Sequence, residues 1–526
     1  MRPRGETWRA RAQQRDGSFQ AQARRIITPE LRPVANLKEL ETDVLIVGAG
    51  NAALVAAEAA HDAGVKVTVL ERAPRERRGG NSTFSGGLFR FAYKDFEQVK
   101  EILQDTPGID FKDVEVEPYP TDMFYSDLMR VTEGLADPSL SELLVNKSQE
   151  VVAWMAHHGI DWELHLSHVA KVKGKYIWRS GTIPVAARGG GHGLQEMHFK
   201  HVESRAIDIL YSTRALQLTQ DSSGAADGAL VSTPAGKRRI QSKAVILACG
   251  GFESNPEMRA RYLGQNWDLV KVRGTRYNTG DGIKMATDIG AEPFGHWSGC
   301  HASVIDAEAA AVEAADETTR YSYPYSIMVN VNGERFVDEG EDFQVYTYAK
   351  TGRRILAQPA HIAYQIYDQK TLPLLRSNYQ RSRPVTANTV EDLASGLGIE
   401  PARLRRTIDE FNKAVSPVAF DSSKRDGKCT TGLNPDKSNW ASPIDSPPYQ
   451  AYPVACGITF TYGGLKIDPQ SAVLTADDTA IPGLWAAGEL TGGFFYHNYP
   501  SGSGLMRGSI TGYVAATEAV KYIKGR

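Results

Sequence analysis

The stretch Thr42-Asp43-Val44-Leu45-Ile46-Val47-Gly48-Ala49-Gly50-Asn51-Ala52-Ala53 decides the fold. A short apolar run, Val44 to Val47, reads as a buried strand and runs into a Gly-x-Gly-x-x-Ala turn. The turn opens a helix, expected from Ala53 to Ala63 and ended by Gly64. A second apolar strand, Val65 to Leu70, ends on Glu71. Together they make a β-α-β unit of about 30 residues, the length such a unit needs. Gly48 permits the tight turn, Gly50 lets the backbone approach a pyrophosphate, and Ala53 keeps helix and strand close. The helix start offers free N–H groups to phosphates. Glu71 lies about 20 residues on, where an acid binds ribose hydroxyls. These parts together predict a dinucleotide site; the bland alternative is an ordinary α/β crossover.

Around this unit the composition is that of a globular protein. The 526 residues are 41% hydrophobic and 23% charged, with net charge −2. That length calls for more than one folding unit. Near-neutral charge gives no reason to expect a nucleic-acid partner. No apolar run reaches the roughly 20 residues of a membrane span. Cys249, Cys300, Cys429 and Cys456 are too scattered for a Cys-x-x-Cys pair, a zinc site or an iron–sulfur cluster. A reducing, cytoplasmic setting fits them. Residues 1–40 form an arginine-rich extension without an apolar core, so not a secretory signal. It reads as a peripheral arm; a mitochondrial presequence is the alternative.

Further small-residue clusters recur along the chain. Gly79-Gly80-Asn81-Ser82 and Ser85-Gly86-Gly87 follow the first unit, as a loop passing close to a ligand requires. Lys243 to Leu247 is a second buried strand, ending on Ala248-Cys249-Gly250-Gly251. Asn278-Thr279-Gly280-Asp281-Gly282 precedes another helix, and Gly483 to Glu489 is a third strand ending on glycine and acid. A last helix follows Ser503-Gly504-Leu505. Leu140 to Met155 has helical periodicity and reads as packing. Between 291 and 440 the glycine motifs give way to charged and aromatic stretches. The expected organisation is a dinucleotide-binding domain from 41–290 and 441–526, with 291–440 inserted as a second domain. The proline-rich Pro435–Pro448 serves as the return connection.

These motifs resemble the flavoprotein superfamily of fumarate reductase and succinate dehydrogenase, which also holds the 3-ketosteroid dehydrogenases; the tricarballylate dehydrogenase-like branch is most similar. The likeness rests on Val44–Ala53, Gly79–Ser82, Ala248–Phe252, Asn278–Ile283, Gly333–Glu339, Thr459–Leu465 and Gly488-Glu489. It implies an α/β, Rossmann-like FAD-binding domain with an inserted α+β cap. It sets Gly48, Gly50, Asn51, Ala52, Glu71 and Arg72 against FAD, with Gly80, Asn81, Ser82, Gly86, Gly87 and Ala215. Ala248, Gly250, Asn278, Asp281, Gly464, Gly488, Glu489, Gly504 and Leu505 complete that set. No histidine stands in Gly80–Ser85, where succinate dehydrogenases attach their flavin, so the FAD is expected to be non-covalent.

The catalytic positions depart from fumarate reductases. The carboxylate-clamping arginine after the last Gly-Glu is here Tyr499, in Asn498-Tyr499-Pro500. Ketosteroid dehydrogenases place a tyrosine there, assisted by a backbone N–H four residues on, which is Ser503. A phenol suits a carbonyl or enolate, whereas a carboxylate prefers guanidinium. The family histidine aligns with Phe460. Counting from Glu339 puts Phe343, which cannot transfer a proton, at the proton-donor position. Asp342, Gln344, Tyr346, Tyr348 and His301 are the replacements, with Tyr346 and Asp342 ranked first. His497 binds substrate, orients the phenol, or merely packs. Arg507 is a carboxylate partner or faces the flavin or a surface acid.

The expected chemistry is hydride transfer between flavin N5 and a carbon–carbon bond beside a carbonyl or carboxylate of a small-molecule substrate. A ketone-type or aromatic substrate fits Tyr499, Phe343 and Phe460, and a tricarboxylate fits the resemblance. The alternative is an inactive flavoprotein subunit that relays electrons to a partner. No second nucleotide-binding unit or haem motif is visible, so oxygen, a quinone or an electron-transfer protein remains to exchange electrons.

Overall fold

The computed structural model describes residues 40–526 apart from 105, 107, 167, 168, 173 and 526; the arginine-rich arm lies outside the described residues. The strand Leu40–Val47 stands inside an eight-stranded sheet. It pairs in parallel with Val67–Leu70 on one side and with Gly236–Leu247 on the other. Asp208–Leu210 and Ala480–Ala486 extend the parallel run outward on its two flanks. Val44, Leu45, Ile46 and Val47 are all buried: Val44 and Ile46 face the alanine-rich helices, while Leu45 and Val47 face a larger core that includes Ala215, Leu218 and Ala229 of two antiparallel strands. The helix Asn51–Asp62 lies between the first two strands in sequence, and Ser503–Lys524 packs beside it. Contact is backbone-close: a Cβ on Gly512 would stand 2.3 Å from the Ala52 carbonyl oxygen. The helix Gly190–Ser204 adds Phe199 and Val202 to the same alanine-rich core.

The parallel strands end together at Val47, Leu70, Leu247 and Ala486. Ligands of open α/β sheets bind at this edge. Gly48 has φ +110°, and a Cβ there would meet the Ala248 carbonyl oxygen at 2.4 Å, so the turns after two neighbouring strands lie back to back.

A second, six-stranded sheet is built on the long strand Tyr449–Leu465. Pro293–Asp306, Ile362–Tyr367 and Val385–Ala387 pair with it antiparallel, and Lys271–Val272 in parallel. Ile327–Asn330 adds to Ile362–Tyr367. The sheet thus takes strands from 271–272 and 449–465 as well as from 291–440. It carries its own core, in which Ile327, Ile366, Leu393, Ile408 and Phe411 meet. Two features of this sheet aim side chains at the site. Register breaks between His296 and Cys300 and between His301 and Ala302 leave His301 opposite Phe460. The helix Tyr348–Leu356 then lies almost on the strand Pro293–Asp306, since a Cβ on Gly352 would meet the Ala302 carbonyl oxygen at 2.4 Å.

Candidate active site

One cleft of about 370 Å³ runs along the carboxyl edge of the parallel strands and on to the second sheet. Its first end is the β-α-β unit. The helix Asn51–Asp62 begins at Gly50 with no side-chain cap, so its leading N–H groups face the cleft. Asn51 N–H donates to Ser82 Oγ at 3.1 Å, joining the two glycine loops. A Cβ on Gly50 would stand 3.6 Å from that oxygen and 3.7 Å from the Gly79 carbonyl oxygen, occupying the space a phosphate group needs. Asn51 also donates to Leu505 O and Ser509 Oγ, which ties this end to the last helix.

Glu71 is buried on the cleft wall and accepts from Ala73 N–H at 2.6 Å. Burial lifts its carboxyl to about 7, against the pull of the Ala73 and Ala49 amides and the Arg72 charge. Arg72 itself turns to Asp281 at 3.1 Å and to Thr279. Arg214 holds the same Asp281 at 2.7 Å. A buried carboxylate without an ion-pair partner among the described residues fits a diol donor. The glycine cradle fits a pyrophosphate. The residues present therefore fit a dinucleotide.

Gly48, Ala52, Arg72, Gly80, Asn81, Gly86, Ala215, Ala248, Gly250, Asn278, Gly488, Glu489, Gly504 and Leu505 all line the same cleft. Asn81 and Asn278 are fixed by acids: Asn81 donates to the buried Glu253 at 2.5 Å, and Asn278 to Glu489 at 3.3 Å. Gly87 and Gly464 do not line it. Their missing side chains serve backbone packing, since a Cβ on Gly87 would meet Gly190 at 2.6 Å and one on Gly464 the Leu490 carbonyl oxygen at 2.2 Å.

At the other end the hydroxyls of Tyr348 and Tyr499 touch each other. Both residues are buried and both line the cleft. Phe460 and Phe495 set their rings 5.0 and 5.3 Å from that of Tyr499. His301 lies 5.1 Å from Tyr499 and 4.8 Å from Tyr348, ring to ring. Burial holds its imidazole well below the usual histidine range, so it is neutral, and its Nδ1 has no hydrogen-bond partner among the described residues. Burial likewise raises both phenols well above the ordinary tyrosine value, so each remains a protonated donor at neutral pH. Tyr321 stacks edge-on to Tyr348 at 5.0 Å and donates to Ser303 at 3.0 Å. Arg273 is buried beneath them, on Thr459 Oγ1 at 3.1 Å and Asp316 at 2.9 Å.

Of the other residues expected at the catalytic end, Gln344 lines the cleft, whereas Tyr346, Asp342, His497 and Ser503 do not. Tyr346 turns away and donates to Asp127 at 2.7 Å and to the Gly181 carbonyl at 2.8 Å. Asp342 is engaged by Arg130 at 2.8 Å. Neither lines the cleft, and the reason is local geometry: Gln344–Tyr346 is a 3-10 turn, and the helix that faces the strand starts only at Tyr348. His497 is exposed, with φ +57°, and its N–H donates to His296 Nδ1. The Ser503 N–H donates back to the Pro500 carbonyl at 3.2 Å rather than into the cleft. Tyr348, which the sequence offers among the neighbours of Phe343 but behind Tyr346 and Asp342, is the one of these three that lines the cleft. Its signal is the inward face of its own helix, Tyr348, Ala349, Gly352, Ile355 and Leu356, all buried.

A parallel sheet with a glycine-lined cleft at its carboxyl edge is the frame of a dinucleotide-binding fold. The chain belongs to the FAD binding domain family, which it matches over residues 43–505, and lies within the fumarate reductase and succinate dehydrogenase superfamily. It is an FAD-dependent oxidoreductase. It is 29% identical over 501 residues to "Fumarate reductase (cytochrome)" of Shewanella frigidimarina, covering 92% of this chain and 77% of that one. Among solved structures it is similar to the open conformation of a flavocytochrome c3 fumarate reductase, with TM-score 0.67 and 26% identity over 92% of this chain and 79% of that one. A 3-ketosteroid delta1-dehydrogenase from Sterolibacterium denitrificans shares the fold, with TM-score 0.69 and 20% identity over 91% and 99% of the two chains. Among the described residues no helix is long and apolar enough to cross a membrane.

Proposed function

We propose that the protein moves a hydride between FAD and a carbon–carbon bond beside a carbonyl group, with Tyr499 polarising that carbonyl and Tyr348 exchanging the proton on the neighbouring carbon. The observation that carries this reading is the pair of touching hydroxyls at the end of the cleft away from Glu71. Bound FAD supplies the two-electron, hydride-exchanging ring. Glu71, the Gly50 helix start and the loop at Ser82 hold its dinucleotide portion. Tyr499, a buried neutral donor, suits an oxygen on which negative charge develops, and the aromatic wall of Phe460 and Phe495 excludes water around it. Tyr348 is protonated at neutral pH, which favours delivery of a proton to carbon. In the opposite direction its proton must be passed on before it accepts another.

The segment 291–440 is proposed as the substrate-closing part, because Tyr321, Tyr348 and Arg376 come from it and line the cleft. A small molecule with a ketone or an aromatic ring fits the wall, and the electron partner is a diffusible acceptor or an electron-transfer protein. An inactive subunit would need no matched phenol pair, so the enzyme reading is preferred.

The test is anaerobic mixing of the purified yellow protein with a panel of saturated ketones and carboxylates, followed at the flavin band. Reduced protein is tested with the unsaturated partners. One compound is expected to bleach or restore the flavin, and Tyr348→Phe to slow that step by about 10²–10⁴-fold with FAD content unchanged. Full activity in both Tyr348→Phe and Tyr499→Phe would remove the assignment.

A further inference from the structure

Arg507, in the second turn of the helix Ser503–Lys524, is a buried cation that lines the cleft without an acidic partner. It is 2% exposed. Among the described residues no carboxylate lies within 4.0 Å of it; its one hydrogen bond is a long one, Nη1 to the Thr491 carbonyl at 3.4 Å, and Nε has no partner. Three aromatic faces box it in, with Phe495, Phe460 and Phe494 centred 4.9, 5.5 and 5.8 Å from the guanidinium carbon. The nearest acid, Glu489, spends its carboxylate on Thr461 N–H at 2.8 Å and on Asn278 at 3.3 Å. Tyr462 and Tyr499, the other ionisable groups facing it, are buried and protonated. Burial alone would expel such a charge, and it draws the guanidinium down to about 10. A buried, unneutralised cation costs several kcal/mol in typical cases, so it persists where an anion meets it during function.

The location says which anion. Gly504, Leu505 and Gly508, on the same two turns, line the cleft with it, and Gly504 lies against the rings of Phe460 and Tyr499. These turns therefore form the wall between the pyrophosphate cradle at Asn51 and the phenol pair. The proposed function seats the flavin ring there. A flavin that has taken up a hydride holds two more electrons and one more proton, hence one more negative charge, spread over its N1–C2=O edge.

We propose that Arg507, together with the N-terminal end of its helix, is the charge partner of the reduced flavin and sets the reduction potential of this protein. The helix end adds a partial positive charge of the same sign. The inference rests on FAD occupying the cleft as proposed above, with the guanidinium acting on the cofactor and not on substrate.

Sulfite is the probe, because it adds to oxidised flavin as an anion and reports the same electrostatics without substrate. Arg507→Met and Arg507→Lys are purified, and FAD content is measured first. Absence of FAD from the parent itself would sink the cofactor reading. With FAD in place, Arg507→Met is expected to weaken sulfite binding by roughly tenfold or more. The midpoint potential falls with it, about 30 mV for each factor of ten. Arg507→Lys should retain most of both. Sulfite affinity and potential unchanged in Arg507→Met overturn the proposal, and a change confined to KM overturns it in favour of a substrate carboxylate site. If Arg507→Met does not hold FAD, the parent decides. A midpoint that shifts by about 30 mV per pH unit on the acid side of neutrality, one proton for two electrons, supports the proposal, and about 59 mV per unit overturns it.

Discussion

Tyr348 and Glu71 mark the two ends of the cleft, and each makes a measurable claim at the scale of one side chain. Glu71 is carried to about 7 by burial. A carboxyl raised in the folded state is fully stabilising below its unfolded value of about 4.3, and that contribution is lost as pH rises through 7. Apoprotein is therefore expected to lose on the order of 3 kcal/mol between pH 4.5 and 7 from this group. The loss should be absent in Glu71→Gln when Tm is followed across that range. Added FAD, whose hydroxyls donate to the ionised form, should reduce it in the parent. Tyr499 was legible because Asn498-Tyr499-Pro500 carries its own context. Tyr348 stood among the candidates but behind Tyr346 and Asp342, because a count from Glu339 assumes the same number of loop residues. Residues 344–346 coil into a 3-10 turn that consumes the difference. Helix face, rather than distance along the chain, identifies which of two nearby tyrosines points inward.

At the scale of the element, the two glycine-started helices hold the site. Asn51–Asp62 and Ser503–Lys524 approach so closely at Ala52 and Gly512 that no side chain fits between them. Gly512→Val must push the phosphate-binding helix aside. We expect FAD affinity to fall by roughly tenfold or more in equilibrium dialysis, since losing one charge-assisted hydrogen bond to a phosphate costs about 1.5–3 kcal/mol. The first helix and its strands were readable from periodicity and glycine spacing alone. The close pairing with the last helix was not, because contacts between segments so far apart leave no local pattern. The small residues that allow it, Gly508 and Gly512, look in sequence like any helix with modest propensity.

For the whole molecule, the decisive feature is that the second sheet carries a core of its own, none of whose residues lines the cleft. The core around Ile327, Ile366 and Ile408 is distinct from those beneath the parallel sheet. Ile408→Ala, which removes a fully buried side chain, should cost about 2–5 kcal/mol. Faster proteolysis within 327–451 is expected while the flavin absorbance persists. The change of texture after residue 290 falls where the strand Pro293–Asp306 of the second sheet begins. It did not announce that Tyr449–Leu465 and Lys271–Val272 would join that sheet, since strand pairing across such separations is set by tertiary packing.

The tie between Asn51 and the Leu505 carbonyl spans 454 positions. Synthesis proceeds from the first of these residues to the second. A growing polypeptide therefore displays the pyrophosphate cradle long before the helix that completes it exists. Cofactor capture is therefore expected only once the helix Ser503–Lys524 has been made and docked, and a chain cut before Ser503 should retain no FAD.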